Sequence, residues 1–163
     1  MTVRPIVLYP DPRLSQIAEP VTFFDASLAG LAQDLLDTLR DASGIGIAGP
    51  HIGVLARVFV VQIAHDQPVW TCVNPVVVSA SADSVRHLEG SISLPGAAEQ
   101  VERPTTVTVA YQDLEGERHE VEATGFLGVC FQHEIDQLDG LFWLKRLSRL
   151  KRDRLLKRHA KQH

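Results

Sequence analysis

The chain has 163 residues, of which 45% are apolar and 22% charged, with a formal net charge of −4 at pH 7. This composition is ordinary for a globular protein, and the length fits a single domain over residues 1–163. No apolar run approaches the roughly 20 residues of a membrane span, and residues 1–5 lack a signal-peptide apolar region. We therefore expect a cytoplasmic protein without a membrane partner, whose two cysteines stay reduced.

Cap residues and apolar periodicity predict the first two helices. Asp11 and Pro12 suit the start of a short helix that ends before Pro20. A longer amphipathic helix is predicted from Asp25 to about Asp41. There, apolar residues recur at three- and four-residue spacing, at Leu28, Leu31, Leu35, Leu36 and Leu39.

Residues 43–53 contain four glycines and predict a loop whose backbone turns tightly or approaches another group closely. The segment begins with Gly-x-Gly, which is a weak signal for dinucleotide binding. No strand precedes it, and Pro50 breaks the helix that should follow, so we reject that interpretation.

The centre of the chain is rich in predicted strands. They fall at residues 58–63, near 70–73, at 76–78, at 107–111 and at 117–124. Asn74 and Pro75 separate the second from the third, and the turn at 113–116 makes the last two a hairpin. Residues 88–96 alone resemble a strand that ends in a Pro-Gly turn. Antiparallel strands with helices before and after them predict an α+β fold.

Residues 125–131 are apolar on every side at helical spacing, which predicts a buried helix. This helix continues through His133, Glu134 and Asp136, and charge buried in a core requires a partner or a site. The motif His-Glu-x-x-His places two metal-binding imidazoles on one helix face beside a general base. Here the fifth position is Gln137, so the motif is one ligand short.

Charge divides the chain in two. Residues 145–163 carry a net charge of +8, and the rest of the chain carries −12. The basic segment includes a predicted helix over about residues 147–161. It indicates a polyanionic partner, and a merely solvated terminal helix is the open alternative.

Three motifs together resemble those of the peptide deformylases, which remove the formyl group from the N-terminal methionine of new bacterial proteins. Residues 44–51 read Gly-Ile-Gly-Ile-Ala-Gly-Pro-His, residues 89–93 Glu-Gly-Ser-Ile-Ser, and residues 132–137 Gln-His-Glu-Ile-Asp-Gln. The family patterns are Gly-x-Gly-x-Ala-Ala-Pro-Gln, Glu-Gly-Cys-Leu-Ser and Gln-His-Glu-x-Asp-His. The resemblance covers nearly the whole chain and implies antiparallel strands packed around a buried helix, with a basic C-terminal helix that contacts the ribosome.

The resemblance also implies the roles of individual residues. The family holds a divalent metal, usually iron, at the positions of Ser91, His133 and Gln137, where it has Cys, His and His. Glu134 matches the residue that activates the metal-bound water. His51 stands where a Gln steadies the oxyanion together with the backbone N–H at Ile92. The implied substrate-binding residues are Gly44, Ile45, Gly46, Glu89, Gly90, Phe126, Val129 and Cys130.

The two ligand changes predict that metal-dependent deformylation is lost or very weak. A Ser hydroxyl and a Gln amide are neutral, hard donors that bind iron or zinc far less strongly than thiolate and imidazole. Complete zinc sites bind with about 10–16 kcal/mol, most of which should disappear. Without a metal, water keeps a pKa of about 15.7 rather than about 7. We expect Glu134, if buried without a cation, to have a raised pKa and a structural role.

Three interpretations of function therefore remain open. The first is a non-catalytic deformylase-like protein that binds formylmethionyl or methionyl peptide ends, or the ribosome. The second is an active hydrolase of formyl or other acyl groups, with iron, zinc or nickel weakly bound or held in a rebuilt site by His51, His133 and Glu134. The third is a regulatory partner of a true deformylase from the same organism.

Overall fold

The computed structural model describes residues 2–163, which form three α-helices and seven strands. The helices are α1 (Ala26–Asp41), α2 (Gly125–Leu138) and α3 (Arg149–Gln162). The strands are β1 (Gly46–Ala48), β2 (Val58–Val61), β3 (Trp70–Ala80), β4 (Ser84–Ser91), β5 (Leu94–Pro104), β6 (Thr106–Gln112) and β7 (Arg118–Thr124). Three short 3₁₀ turns, Pro12–Ser15, Gly49–Ile52 and Trp143–Arg146, connect them.

Two antiparallel sheets confirm the predicted α+β class. The larger has the strand order β1-β2-β3-β6-β7, and the smaller is the β4–β5 hairpin. Strand β2 is buried along its whole length because its two faces are covered by different helices. Val58 and Val60 pack with the apolar side of α1, whereas Phe59 and Val61 pack with α2. This explains why β2 is an unbroken apolar run.

Three of the four predicted helices are present as α-helices. The Asp25 carboxylate caps α1 by accepting the backbone N–H groups of Ser27 and Leu28. Of the predicted leucine stripe of α1, Leu28, Leu35 and Leu39 are buried, and Leu31 and Leu36 are partly buried against the same core cluster. Ser148 caps α3, whose Leu155 packs against the smaller sheet while most of its other side chains face solvent. The short helix capped by Asp11 is a single 3₁₀ turn that already ends at Ser15.

The strand boundaries differ from the prediction in three places. β3 runs through Asn74 because that residue adopts a positive φ of 49° and its side chain bonds the backbone of Val21, which carries the strand past the irregularity. The glycine-rich segment contributes β1 rather than only a loop. Residues 88–96 hold the tight turn of the β4–β5 hairpin, and the Pro-Gly pair falls within β5. The rest of this hairpin, residues 84–87 and 97–104, lies outside every predicted strand.

No helix within residues 2–163 combines the length and the apolar character that crossing a bilayer demands.

Candidate functional site

A cavity of about 580 Å³ lies between the segment around β1, the β4–β5 turn and one face of α2. Its wall carries every residue that the sequence implied for substrate binding: Gly44, Ile45, Gly46, Glu89, Gly90, Phe126, Val129 and Cys130. The wall also carries His51, Ser91, Ile92, His133 and Glu134, whereas Gln137 is not among its lining residues. The structure thus brings the three sequence motifs together at one cavity. That these residues bind substrate stays a prediction.

The ring of His133 is held from behind by the β4–β5 hairpin. Its Nδ1 lies 2.9 Å from Oε1 of Glu89, a buried carboxylate. Burial lowers the pKa of His133, but the hydrogen bond to Glu89 and the negative charge of Glu134 raise it overall. With Nδ1 occupied by the carboxylate, Nε2 is the ring atom left for a ligand. Carboxylates orient metal-binding histidines in this way, so His133 is still held as a ligand would be.

Glu89 itself belongs to an ion network, buried except for Arg146, that the sequence does not indicate as a whole. Arg103 on β5 donates to both oxygens of Glu89, at 2.6 and 2.9 Å, and to Asp136 at 2.8 Å. Arg146 then binds both oxygens of Asp136. Burial raises the pKa of Glu89, but hydrogen bonds from His133 and Arg103 outweigh it and lower that pKa to about 2. The carboxylate of Glu89 therefore supports the site and is not free for a ligand.

One signal for this network was available. Asp136 on an apolar helix requires a buried cation, but nothing in the sequence indicates that Arg103, 33 residues earlier, supplies it.

The two changed ligand positions make hydrogen bonds within the protein. Ser91 Oγ accepts the backbone N–H of Ser93 at 3.1 Å. Gln137 is buried, and its Nε2 donates to the carbonyl of Leu14 at 2.8 Å. A carbonyl can only accept, so the amide nitrogen of Gln137 faces Leu14 and only its carbonyl oxygen remains as a donor atom for a metal.

The residues present do not fit the divalent metal of the family. One imidazole, His133, remains, beside a neutral hydroxyl and a neutral amide oxygen. Such a set lacks both the thiolate and the second imidazole that give iron and zinc sites their affinity. The hydrogen bond to Glu89, which orients His133, does not replace the missing donor atoms.

His51 is fixed as a neutral side chain. Its Nδ1 accepts the backbone N–H of Ala48 at 2.8 Å, so the ring proton is on Nε2. Burial, followed by the charge of His133, lowers the pKa of His51 to about 3. Nε2 is buried and has no hydrogen-bond partner among residues 2–163. It is a donor at the cavity wall, where the family has the side-chain amide of Gln.

Glu134 is nearly fully buried, and burial raises the pKa of this carboxyl to about 7. Within the described chain, its Oε1 has no hydrogen-bond partner. Its other oxygen occupies the space that a side chain at Gly46 would need, since a Cβ there would lie 2.5 Å from Oε2. A side chain at this position of β1 would therefore have to displace the carboxyl on α2, a close approach that the Gly-rich pattern indicated without naming its partner.

The structure does not gather His51, His133 and Glu134 as a rebuilt ligand set. His51 Nδ1 is 3.8 Å from Glu134 Oε1, but the Ala48 N–H already uses its lone pair. Within residues 2–163, three potential ligands with donor atoms within 4.8 Å of one another are found outside the cavity. They are Asp113, Glu117 and His119 on the exposed β6–β7 turn.

Comparisons with known proteins agree with the motifs. Residues 3–153 match the family model described as polypeptide deformylase. The chain is 53% identical to a protein named peptide deformylase-like from Agrobacterium fabrum strain C58, over 99% of this chain and 98% of that one. It is 40% identical to a peptide deformylase of the same strain, over 99% and 96%. A crystal structure of a peptide deformylase from Legionella pneumophila superposes with a TM-score of 0.93 at 40% identity, covering 98% and 95% of the two chains.

Proposed function

The chain belongs to the peptide deformylase family, and on that premise we propose that it is a non-catalytic member that binds peptide amino termini beginning with methionine or formylmethionine. In this proposal the apolar cavity receives the methionine side chain. The family activity, metal-dependent removal of the formyl group, is absent or very weak. One Agrobacterium strain has relatives with both names, peptide deformylase-like and peptide deformylase, which supports a division of roles.

The observation that carries this proposal is the hydrogen bonding of Gln137. The amide that replaces the second histidine donates to Leu14, and a neutral oxygen is the donor atom left to it. Ser91 adds a second neutral oxygen in place of the thiolate. Together these changes take away the charge and the softness on which tight binding of iron or zinc depends.

The residues that remain are suited to holding a peptide end. Ile45, Phe126 and Val129 provide an apolar wall for an unbranched thioether side chain. The Nε2–H of His51 is a buried donor that a ligand carbonyl would satisfy. The backbone N–H of Ile92 is the second donor that we assign to that carbonyl.

We assign the basic helix α3 to the second binding function, contact with ribosomal RNA. Its cationic side chains are largely exposed, for example at Lys151, Arg154 and Lys157. Contacts to phosphates would release counterions, so binding should weaken steeply as salt increases. Ribosome contact would place the protein in the cytoplasm. Co-sedimentation with ribosomes at 50 and 300 mM salt tests this. A triple Lys151→Gln, Arg154→Gln, Lys157→Gln variant should lose the association, and association that the variant retains would contradict the assignment.

The hydrolysis of a formylmethionyl peptide tests the catalytic part of the proposal. We expect no measurable hydrolysis by the natural chain after incubation with iron, nickel or zinc. We expect activity from the double variant Ser91→Cys/Gln137→His, because Glu89, His133 and Glu134 are still in place. The two single variants are matched controls and should stay well below the double variant. Metal-dependent hydrolysis by the natural chain at a rate near that of the double variant would overturn the proposal.

The Glu89–His133 pair is the observation that favours a second candidate function. Because His133 is still oriented as a ligand, a weakly held iron, zinc or nickel ion could support slow removal of a formyl or other acyl group. Slow hydrolysis that is saturable in added metal and abolished by His133→Ala would favour this candidate.

A further inference from the structure

Besides the donor His51 Nε2–H, the cavity wall carries hydrogen-bond acceptors that have no partner or keep a free lone pair. Glu134 presents a carboxyl group, and its buried Oε1 has no partner among residues 2–163. His133 directs Nδ1 to Glu89, so Nε2 is the ring nitrogen left for the cavity, and it accepts a hydrogen bond only in the neutral form of the ring. Ser91 Oγ keeps lone-pair capacity beside the one bond that it accepts. An ammonium group, with three donors and no acceptor, complements such a set.

Charge compensation indicates the same ligand. Among the buried groups behind the cavity, the carboxylates of Glu89 and Asp136 are matched by the guanidinium groups of Arg103 and Arg146. Glu134 forms no ion pair with a Lys or Arg within residues 2–163. The basic atom nearest to it is His51 Nδ1, at 3.8 Å, and that atom already accepts a backbone N–H. The charge of His133 also acts on Glu134, but Oε1 has no hydrogen-bond partner among residues 2–163, and an ammonium group in the cavity would supply one.

A formylated peptide end meets these needs less well. Its formamide carbonyl only accepts hydrogen bonds, and its single N–H is neutral. His51 Nε2–H could satisfy the carbonyl, but Oε1 of Glu134 would have at most the neutral amide N–H as a donor. A free amino terminus places its charge where the unpartnered oxygen lies, and leaves the methionine side chain to the apolar wall.

We propose that the cavity selects a peptide whose amino terminus is a free methionyl ammonium group over the same peptide carrying a formyl group. This selection, which rests on the proposed binding of methionine-bearing peptide ends, is for the product of deformylation rather than for its substrate. Glu134 is the positioning group for the ammonium, Ser91 Oγ supplies a further acceptor, and the cavity discriminates by the charge of the terminus.

Fluorescence anisotropy with a methionyl tripeptide labelled at its C-terminus tests the proposal at pH 7, where the α-amino group is mostly protonated. The free-amine, N-formyl and N-acetyl forms of the same peptide are compared. We expect the free amine to bind at least tenfold more tightly than either capped form. Glu134→Gln, which keeps the shape and removes the charge, should abolish that preference. Glu120→Gln, on the exposed side of β7, is the matched control and should keep it.

The outcomes separate this inference from the proposed function. Equal binding of all three peptides, or tighter binding of the formyl form, would overturn the selection for ammonium while leaving peptide-end binding intact. Absence of binding for every form at millimolar peptide would overturn both. If Glu134→Gln keeps the preference for the free amine, Glu134 is not the group that binds the ammonium charge of the peptide.

Discussion

Two regions meet at His133, and they have diverged to different extents from the family pattern. In front of the ring, the positions that hold the metal in the family carry Ser91 and Gln137. Behind it, the Glu89 carboxylate still bonds Nδ1 and is itself held by Arg103. The region that supplies chemistry has changed, while the region that supplies orientation is complete.

That the Glu89–Arg103 pair remains where the metal ligands have changed indicates that this pair has a structural function of its own. A buried carboxylate such as Glu89 destabilises a fold unless it is paired, whether or not the histidine beside it binds a metal. Arg103 also neutralises Asp136, which lies on the same helix as His133. Loss of a metal ligand leaves these pairs intact, whereas loss of a pair would threaten the fold. The two regions can therefore change independently.

Removing the shared cation should break the support and give the largest loss of stability. Arg103→Met leaves Glu89 and Asp136 without the guanidinium between them, and we expect a loss of about 3–5 kcal/mol in the free energy of unfolding. Urea denaturation monitored by circular dichroism measures it. The exposed Arg154→Met on α3 is the control and should change stability by less than about 0.5 kcal/mol. A loss below about 1 kcal/mol for Arg103→Met would mean that the network does not hold the fold.

The stability of the fold should depend on pH because the carboxyl of Glu134 is buried. Burial raises the folded-state pKa of this carboxyl from 4.5 to about 7, so the folded chain binds the proton more tightly than the unfolded chain. The stabilisation is complete below about pH 4.5 and is lost as pH rises through 7, which amounts to about 3 kcal/mol at most. Glu134→Gln does not titrate and should gain stability relative to the natural chain between pH 5 and 8. Urea denaturation at pH 5 and at pH 8 measures the free energy of unfolding of both proteins, with Glu120→Gln as the control. A difference between Glu134→Gln and the natural chain that is the same at both pH values would contradict the raised pKa.

The smallest expected effect concerns the contact of β1 with α2. Gly46→Ala would place a Cβ 2.5 Å from Glu134 Oε2, so the carboxyl must move, at a cost of about 1–3 kcal/mol. The same substitution in a Glu134→Ala background should cost much less, because the obstructing group is gone. Gly30→Ala, whose Cβ would have no atom within 4 Å, should instead stabilise α1 by up to about 1 kcal/mol. Equal costs for Gly46→Ala in both backgrounds would contradict the contact.

Much of the fold could be predicted from local patterns. Periodicity and the Asp25 cap define α1 to within a residue, and the all-round apolar segment predicts α2. Two strand details could not be predicted because each depends on a distant partner. Strand β1 exists because Gly46–Ala48 pairs with β2. Strand β3 stays continuous at Asn74 because of a bond to Val21, 53 residues earlier.

The site was predictable as a set of positions but not as a set of contacts. The three motifs indicated which side chains share a cavity, and Gln137 indicated a missing ligand. The sequence could not show that the amide of Gln137 bonds Leu14, or that His51 Nδ1 is occupied by the Ala48 N–H. These bonds decide which atoms remain for a ligand, and they exclude His51, His133 and Glu134 as a rebuilt metal set in this conformation.

The metal content of the protein, purified anaerobically without chelator and measured by elemental mass spectrometry, shows whether the changed ligand positions still hold a metal. We expect less than about a tenth of an equivalent of any transition metal in the natural chain, even after incubation with iron, nickel and zinc. Ser91→Cys/Gln137→His, treated identically, should approach one equivalent and shows that the procedure retains a bound metal. A stoichiometric transition metal in the natural chain would contradict the loss of the metal site and would favour an active metal-dependent hydrolase.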